Sequence, residues 1–328
     1  MTEALLQVKD LSKHFSVTRG FPKRRTITVR AVDGISFDIR PGEAFGLVGE
    51  SGCGKSTAAR ALLRLIEPDS GRVLYRGQDV TAASGGDLRV LRRKMQIVFQ
   101  DPYSSLNPRQ TIGSALIEPL TLHGIARGAA ARDRAAALLE EVGLPPSALD
   151  KFPHEFSGGQ RQRIGIARAL TVEPELIVAD EPVSALDVSV QAQVLLLLRD
   201  LQRRRGLSFL FVSHDLSVVR WFCDRVAVMY LGRIVEQGPV DRVLSAPMHP
   251  YARMLRDASP VPDPALRGAL PRIVGELPSA AAPPSGCHFH PRCPSAMPRC
   301  SVESPGWTGV PDGGVACHLY APDHATTA

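Results

Sequence analysis

The sequence of 328 residues predicts an α/β protein with a largely parallel sheet covered on both faces. Three observations predict it. Short apolar runs alternate with helical stretches: Ala44-Phe45-Gly46-Leu47-Val48, Leu176-Ile177-Val178-Ala179, Phe209-Leu210-Phe211-Val212 and Val226-Ala227-Val228-Met229-Tyr230. A glycine-rich turn, residues 49–57, joins the first run to a helix. Apolar residues make up 44% of the chain, which excludes a disordered polypeptide.

Residues 1–40 alternate apolar and polar positions, as in Leu6-Gln7-Val8 and Ile35-Ser36-Phe37-Asp38-Ile39. That period of two marks antiparallel strands. Residues 19–25 are basic and turn-rich and read as an exposed loop. After the glycine turn a helix is expected to about Leu65. Gln96-Ile97-Val98-Phe99 reads as a short strand. Residues 111–170 read as mostly helical, interrupted at Pro145-Pro146 and Lys151-Phe152-Pro153. A leucine-rich helix is expected over 190–202. After Pro247, proline recurs at 250, 260, 262, 264, 271, 278, 283 and 284, which predicts an irregular arm. The expected division is residues 1–247, with a helical subdomain at about 101–170, followed by an extension over 248–328.

The net charge of +6 suits phosphate ligands or an anionic membrane face. No dense Lys/Arg stripe with interleaved aromatics occurs, so nucleic acid is not an expected partner. Lys23-Arg24-Arg25 and Arg203-Arg204-Arg205 read as solvated surface. No signal peptide is expected, because Glu3, Lys9 and Asp10 interrupt the start. The most apolar helical run, residues 194–198, is far short of the ~20 residues a membrane span needs. The expected location is therefore cytosolic, with any membrane work done through a partner, and disulfides are not expected there.

The turn reads Gly49-Glu50-Ser51-Gly52-Cys53-Gly54-Lys55-Ser56-Thr57 and matches G-x-x-x-x-G-K-[ST]. Its glycines let successive N–H groups face phosphates, and the helix that follows adds its N-terminal dipole. Lys55 can reach β- and γ-phosphates, and Ser56 can offer a hydroxyl to Mg²⁺. The run from Leu176 ends in Asp180 and Glu181, acids at the sheet edge where α/β ligands bind. Asp180 would hold Mg²⁺, and Glu181 would polarise an attacking water as general base. Alone, the two acids read equally well as a strand cap. Ser157-Gly158-Gly159-Gln160 precedes a helical run, and alone reads as a helix cap.

Together these residues resemble the motif set of ABC-type ATPases. Ser157-Gly158-Gly159-Gln160 is similar to the family's signature, with Phe156 where leucine is usual. Gln100 is similar to the Q-loop glutamine, which in that family senses Mg²⁺ and the membrane partner. Ser184-Ala185-Leu186-Asp187 resembles the D-loop, and His214 the switch histidine that contacts the γ-phosphate. Phe15 is placed like the aromatic that stacks on adenine. Singly, Phe15 reads as core and His214 as a polar cap. The resemblance implies an ABC nucleotide-binding domain of the phosphate-loop class, with parallel core, antiparallel β subdomain and helical subdomain. It also implies that two cassettes sandwich ATP head to tail, each loop facing the other chain's signature. This chain has one cassette and so needs a second from another chain.

The stretch Gln100-Asp101-Pro102-Tyr103-Ser104-Ser105-Leu106-Asn107-Pro108-Arg109 resembles the ATPases of dipeptide/oligopeptide permeases. So does the run from Asp180 to Val194, whose Pro182-Val183-Ser184 variant resembles the F-type subunit. His249-Pro250-Tyr251 resembles the start of that group's C-terminal extension. The resemblance implies a D-type paralogous ATPase, two transmembrane permease subunits and an extracytoplasmic peptide-binding protein, at the cytoplasmic face of the membrane. Nickel and other small-solute importers share the architecture, so the substrate stays open. A non-transport ABC ATPase of DNA repair needs a long coiled coil between loop and signature; here Lys55 and Ser157 are about 100 residues apart without heptads. Translation-factor ATPases carry two cassettes.

Of the six cysteines, Cys287, Cys293, Cys300 and Cys317 cluster late, spaced C-x5-C-x6-C-x16-C. Four cysteines can hold a [4Fe–4S] cluster or a structural zinc, and zinc sites usually show tighter pairs. Cys293-Pro294 carries a proline often seen after a cluster cysteine, and the extension resembles one with which iron–sulfur binding is associated. Unligated thiols are the third reading. His288, His290 and His318 flank the cysteines and could substitute in a zinc site, but read first as solvated loop residues.

Overall fold

A computed structural model of the chain describes residues 4–19, 25–101, 105–258 and 278–321. The expected loop at 20–24 and the prolines between 260 and 271 lie outside the described residues. The chain divides into two compact units: among the described residues one holds 4–38, 44–81 and those from 213 onward, the other 39–43 and 82–212.

The first unit opens with strands β1 (Leu6–Arg19), β2 (Arg25–Ile39) and β3 (Ala44–Val48), helix α1 (Lys55–Leu62), and strands β4 (Ser70–Tyr75) and β5 (Gln78–Asp79). The period of two becomes an antiparallel sheet ordered β2-β1-β4-β5. β1 pairs with β4 from Leu6↔Tyr75 to Ser12↔Ser70. Leu6, Val8, Leu11, Val73 and Tyr75 are buried, so the alternation sends one set of side chains inward.

The second unit contains helix α2 (Gly85–Lys94), strand β6 (Met95–Val98), helices α3 (Ile112–Leu122), α4 (Gly128–Glu141) and α5 (Gly158–Leu170), strand β7 (Leu176–Asp180), helix α6 (Val188–Arg205) and strand β8 (Ser208–Ser213). β6, β7 and β8 run parallel, with Met95↔Leu176 and Leu176↔Ser208 in register. Every residue of β7 and β8 is buried, the mark of a parallel strand covered on both faces. Pro146 and Pro153 each start a short 3₁₀ turn where helical structure was expected to break. α6 outruns the expected 190–202 at both ends. Gly206, at φ 64°, stops it, and its last turn carries Arg203, Arg204 and Arg205, favourable at the negative end of a helix. Arg205 is not merely solvated: its Nε donates to Glu141 Oε1 at 2.8 Å.

The chain then returns to the first unit with helix α7 (Leu216–Phe222), strands β9 (Arg225–Tyr230) and β10 (Arg233–Pro239), helices α8 (Val240–Ser245) and α9 (Pro250–Ala258), and strands β11 (Thr308–Val310) and β12 (Gly313–Val315). β3 pairs parallel with β9, Phe45↔Arg225 to Val48↔Val228. β10 runs antiparallel to β9. Among the described residues, the expected irregular arm is more ordered than its prolines suggest. β11 and β12 form a hairpin, and β12 adds to β10 at Glu236↔Val315.

Two buried groups fix this extension. The Glu236 side chain is fully buried and accepts from Met248 N–H at 3.0 Å, His249 N–H at 2.8 Å and Arg242 Nη1 at 3.2 Å. One carboxylate thus ties β10 to α8 and to the start of α9. Beside it lies an aromatic cluster: Tyr230 and Tyr251 at 4.6 Å between centroids, and Phe289 at 5.3 Å from Tyr230 and 5.4 Å from Tyr251. His249 packs on Phe289 at 5.7 Å, and its Nδ1 accepts from Tyr251 N–H at 3.0 Å. Burial, helped by the Arg253 charge, pushes the His249 imidazole down to about 3.

That depression has a sign. Below the ordinary histidine pKa of 6.5 the unfolded chain takes up a proton that the folded chain refuses, so stability falls as the pH drops from 6.5 toward 3. Between pH 7 and pH 5 the loss from this group should be about 2 kcal/mol. His249→Asn keeps an acceptor for the Tyr251 N–H and does not titrate. Its urea unfolding free energy should fall less over the same interval, by about that amount.

Candidate functional site

The glycine turn belongs to the first unit. β3 is buried at all five positions, which fixes the point where the turn begins. Gly54 caps α1 at φ 110°, and a Cβ there would overlap the Ala31 carbonyl oxygen. Only glycine meets both demands. Ala58 N–H donates to Gly54 O at 2.9 Å and starts the helix. Lys55 is 4% exposed, and its ammonium donates to Gly49 O at 2.8 Å and Glu50 O at 3.0 Å. The turn's own carbonyls hold that charge, and a phosphate oxygen would compete for it. Burial pushes the Cys53 thiol up, against the pull of Lys55, so it stays neutral. Ser51 and Gly52 are exposed, while Ser56 and Thr57 in the first turn of α1 are half-buried.

Glu50 is held from outside the turn. Its N–H donates to Tyr251 Oη at 2.8 Å. Its carboxylate accepts from both Arg292 Nη atoms, at 2.8 and 3.0 Å. Phe15 stands on β1, 37% exposed, with Lys13 Nζ 5.5 Å from its ring centroid. It is therefore a surface aromatic and not core. His214 is exposed between β8 and α7, where the Asp215 side chain caps α7 by accepting from Ser217 N–H at 2.8 Å.

The second unit carries the acids and the signature-like stretch. Asp180 ends β7 fully buried. Glu181 follows at φ 46°, a left-handed backbone rare for glutamate. Its N–H donates to Val212 O at 3.0 Å, which ties the turn to β8. Its Oε2 accepts from Gln100 Nε2 at 2.9 Å. These two predicted residues, 81 positions apart, are thus brought together at the ends of β6 and β7. Pro102, Tyr103 and Ser104 of the stretch after Gln100 lie outside the described residues.

Ser157 caps α5. Its Oγ accepts from Gln160 N–H at 3.3 Å, and Gln160 Oε1 accepts from Ser157 N–H at 3.0 Å, a reciprocal capping box. A Cβ at Gly159 would overlap Val190 of α6, so glycine lets the two helices meet, while Gly158 sits against Leu186. Phe156 is buried at 8% exposure, as an apolar side chain there should be. Asp187 lies at the start of α6 with its carboxylate exposed.

The cysteine expectation is revised. All six cysteines are free, and Cys287, Cys293, Cys300 and Cys317 share one lobe, where Cys287 N–H donates to Cys300 O at 2.8 Å. Among the described residues no three His, Cys, Asp or Glu side chains converge to hold a metal ion. Burial pushes the Cys287 and Cys293 thiols up, and Cys317 to about 11. This arrangement supports neither the expected [4Fe–4S] cluster nor zinc. The flanking histidines are not simply solvated either. His288 and His318 are buried, His318 Nε2 lies 2.8 Å from Glu303 O, and His290 Nδ1 lies 3.0 Å from Cys287 O.

Arg292 and the Tyr251 hydroxyl escaped the sequence reading. Tyr251 stood out only as part of His249-Pro250-Tyr251, and nothing near Arg292 in sequence marks its reach to residue 50.

The ABC transporter family model matches residues 32–184, and the model for the C-terminal region of oligopeptide/dipeptide transporters matches 235–300. The probable peptide ABC transporter ATP-binding protein y4tS of Sinorhizobium fredii is 53% identical over 323 residues, 98% of this chain and 92% of that one. The oligopeptide transport ATP-binding protein AppF of Bacillus subtilis is 50% identical over 325 residues, 97% and 98% of the two chains. Among solved structures, CbiO1 of Clostridium perfringens, part of an ABC transporter complex, superposes with a TM-score of 0.62 at 28% identity, over 74% of this chain and 92% of that one. A dimeric ATP-binding cassette in a post-hydrolysis state with ADP and Pi gives a TM-score of 0.62 at 29% identity, over 72% and 98%. The α/β core, the glycine turn, the acid-ended strand and the extension all fall within these matches, and the chain belongs to the ABC transporter family as an ATP-binding subunit of the oligopeptide/dipeptide group.

Proposed function

We propose that this chain hydrolyses ATP to drive import of short peptides, working at the cytoplasmic face of a membrane with a paralogous D-type ATPase, two permease subunits and an extracytoplasmic peptide-binding protein. The observation that carries the reading is one chain matching both the cassette and the oligopeptide/dipeptide C-terminal region. Relatives named for peptide or oligopeptide transport match it along nearly its whole length. No helix among the described residues is long and apolar enough to cross a membrane, so a membrane position rests on partner subunits.

In this reading residues 49–57 cradle the ATP phosphates, Lys55 moves from its carbonyls to the β- and γ-phosphates, and Phe15 stacks on adenine. Ser56 and Asp180, with Gln100, are oxygen donors of the hard kind that Mg²⁺ takes, and the ion supplies charge neutralisation on the phosphates. Glu181 accepts a proton from water as the water oxygen bonds to the γ-phosphorus; the bond from that phosphorus to the β–γ bridging oxygen breaks, leaving ADP and phosphate. The Gln100 hydrogen bond aims the Glu181 carboxylate and occupies one of its oxygens. His214 contacts the γ-phosphate. Ser157, Gly158, Gly159 and Gln160, with Asp187, face the nucleotide of the partner ATPase. The helix start at Ser157 offers N–H groups to phosphate in that role.

Glu181→Gln should keep ATP binding while hydrolysis falls at least ~100-fold, the usual weight of a general base. Undiminished turnover would remove Glu181 from that role. For the substrate, the complex reconstituted in vesicles should take up labelled di- and oligopeptides when ATP is supplied. Uptake of nickel with no peptide uptake would overturn the peptide assignment.

A further inference from the structure

We infer that Arg292 and Tyr251 are positioning residues for the phosphate loop, so that the C-terminal extension braces the nucleotide site from outside the cassette motifs. The inference rests on the assignment of residues 49–57 as the phosphate loop. Glu50 is gripped at both its backbone and its side chain. Tyr251, 201 positions away, accepts from the Glu50 N–H at 2.8 Å. Arg292, 242 positions away, forks onto the carboxylate at 2.8 and 3.0 Å. The Arg292 side chain is 3% exposed, and its guanidinium carbon lies 5.9 Å from the Tyr230 ring centroid, a cation–π distance. Phe289, three residues before Arg292, meets Tyr230 edge-on at 88° and packs on Tyr251. The two gripping residues therefore stand on one packed aromatic cluster, and neither is a long side chain searching from the surface.

Two physical effects follow. A charge-assisted fork fixes the carboxylate in plane and distance, and the Tyr251 bond fixes the adjoining peptide. A loop already held in its working shape loses less conformational freedom when it binds nucleotide. The fork also cancels the Glu50 charge, which would otherwise repel the phosphates that the loop must accept. Lys55 depends on the same segment, since it donates to the carbonyls of Gly49 and Glu50.

The test is calorimetric binding of Mg·AMP-PNP to the full-length chain, with melting temperatures recorded in parallel. Arg292→Gln should weaken binding roughly tenfold, the weight of a charged hydrogen bond. Arg292→Lys should recover part of that loss, since it restores the charge without the fork. Tyr251→Phe keeps the ring packing and should weaken binding about threefold. Arg299→Gln, in the same lobe and paired with Glu303 at 3.5 Å, should bind as the parent does. Binding within about twofold of the parent for both Arg292→Gln and Tyr251→Phe overturns the inference. If Arg292→Gln does not fold, Tyr251→Phe decides alone. Lys55→Ala separates the two levels. Parent-like binding by Lys55→Ala would sink the loop assignment itself, whereas its loss alongside parent-like Arg292→Gln and Tyr251→Phe would sink only the brace.

Discussion

The fork between Arg292 and Glu50 sets two distant parts of the chain in register. A phosphate-binding turn has a difficult requirement: its backbone N–H groups must point outward and stay unpaired within the turn, yet the turn must hold its shape. Burial of β3 fixes where the turn starts, and α1 fixes where it ends. Gly54 allows the close pass under the Ala31 carbonyl that joins the two. What remains is the first half of the turn, where neither β3 nor α1 holds the Glu50 N–H or carboxylate. The extension supplies that hold, through a charged pair whose arginine is almost wholly removed from water. Such a pair loses solvation on both sides, and it is favourable only with good geometry and further contacts. Here the contacts are two short bonds to one carboxylate and an aromatic face beneath the guanidinium.

The same logic of restraint applies at Glu181, by a different device. A glutamate in the left-handed region costs on the order of 1 kcal/mol of backbone strain. It is kept there by the N–H bond to Val212 and by the Gln100 amide on its carboxylate. The strain turns the chain sharply just after the buried end of β7, so Asp180 stays inside while Glu181 lies half-buried and reaches Gln100. One strand end thereby gives two carboxylates with different surroundings, as separate roles for them require.

Much of this was legible in the sequence because the signals are local. The apolar runs at 44–48, 176–179, 209–212 and 226–230 became β3, β7, β8 and β9 because each is long enough to bury and too short for a helix. Ser157 reads as a cap at three residues' distance, and it is one. The illegible parts depend on distance along the chain. β4, at residues 70–75, carries a glycine and an arginine and shows no clean alternation, and its pairing with β1 and β5 makes it a strand. β11 and β12 are three residues each and exist because β10 offers a free edge. Arg292 sits among histidine, proline and cysteine, a context that suggested metal chemistry and hid an ion pair. α6 ran longer than its apolar stripe because its ends are set by Asp187 and Gly206, which are polar or small.

The cysteine lobe shows why residue type alone is a weak guide to chemistry. Four thiols lie near one another, but burial raises the cost of ionising Cys287, Cys293 and Cys317, and the neighbouring thiols add to it. Backbone N–H groups of Phe289 and His290 at Cys287, of Ser295 at Cys293 and of Leu319 at Cys317 offset only part of it. Meanwhile the extension already has other anchors: the Glu236 carboxylate with its three donors, the Tyr230–Tyr251–Phe289 cluster, and the β12 addition to β10. Each joins the extension to β9 or β10, the strands that pair outward from β3. A lobe secured in this way can transmit position to the phosphate loop, and the Arg292 fork is where that position reaches Glu50.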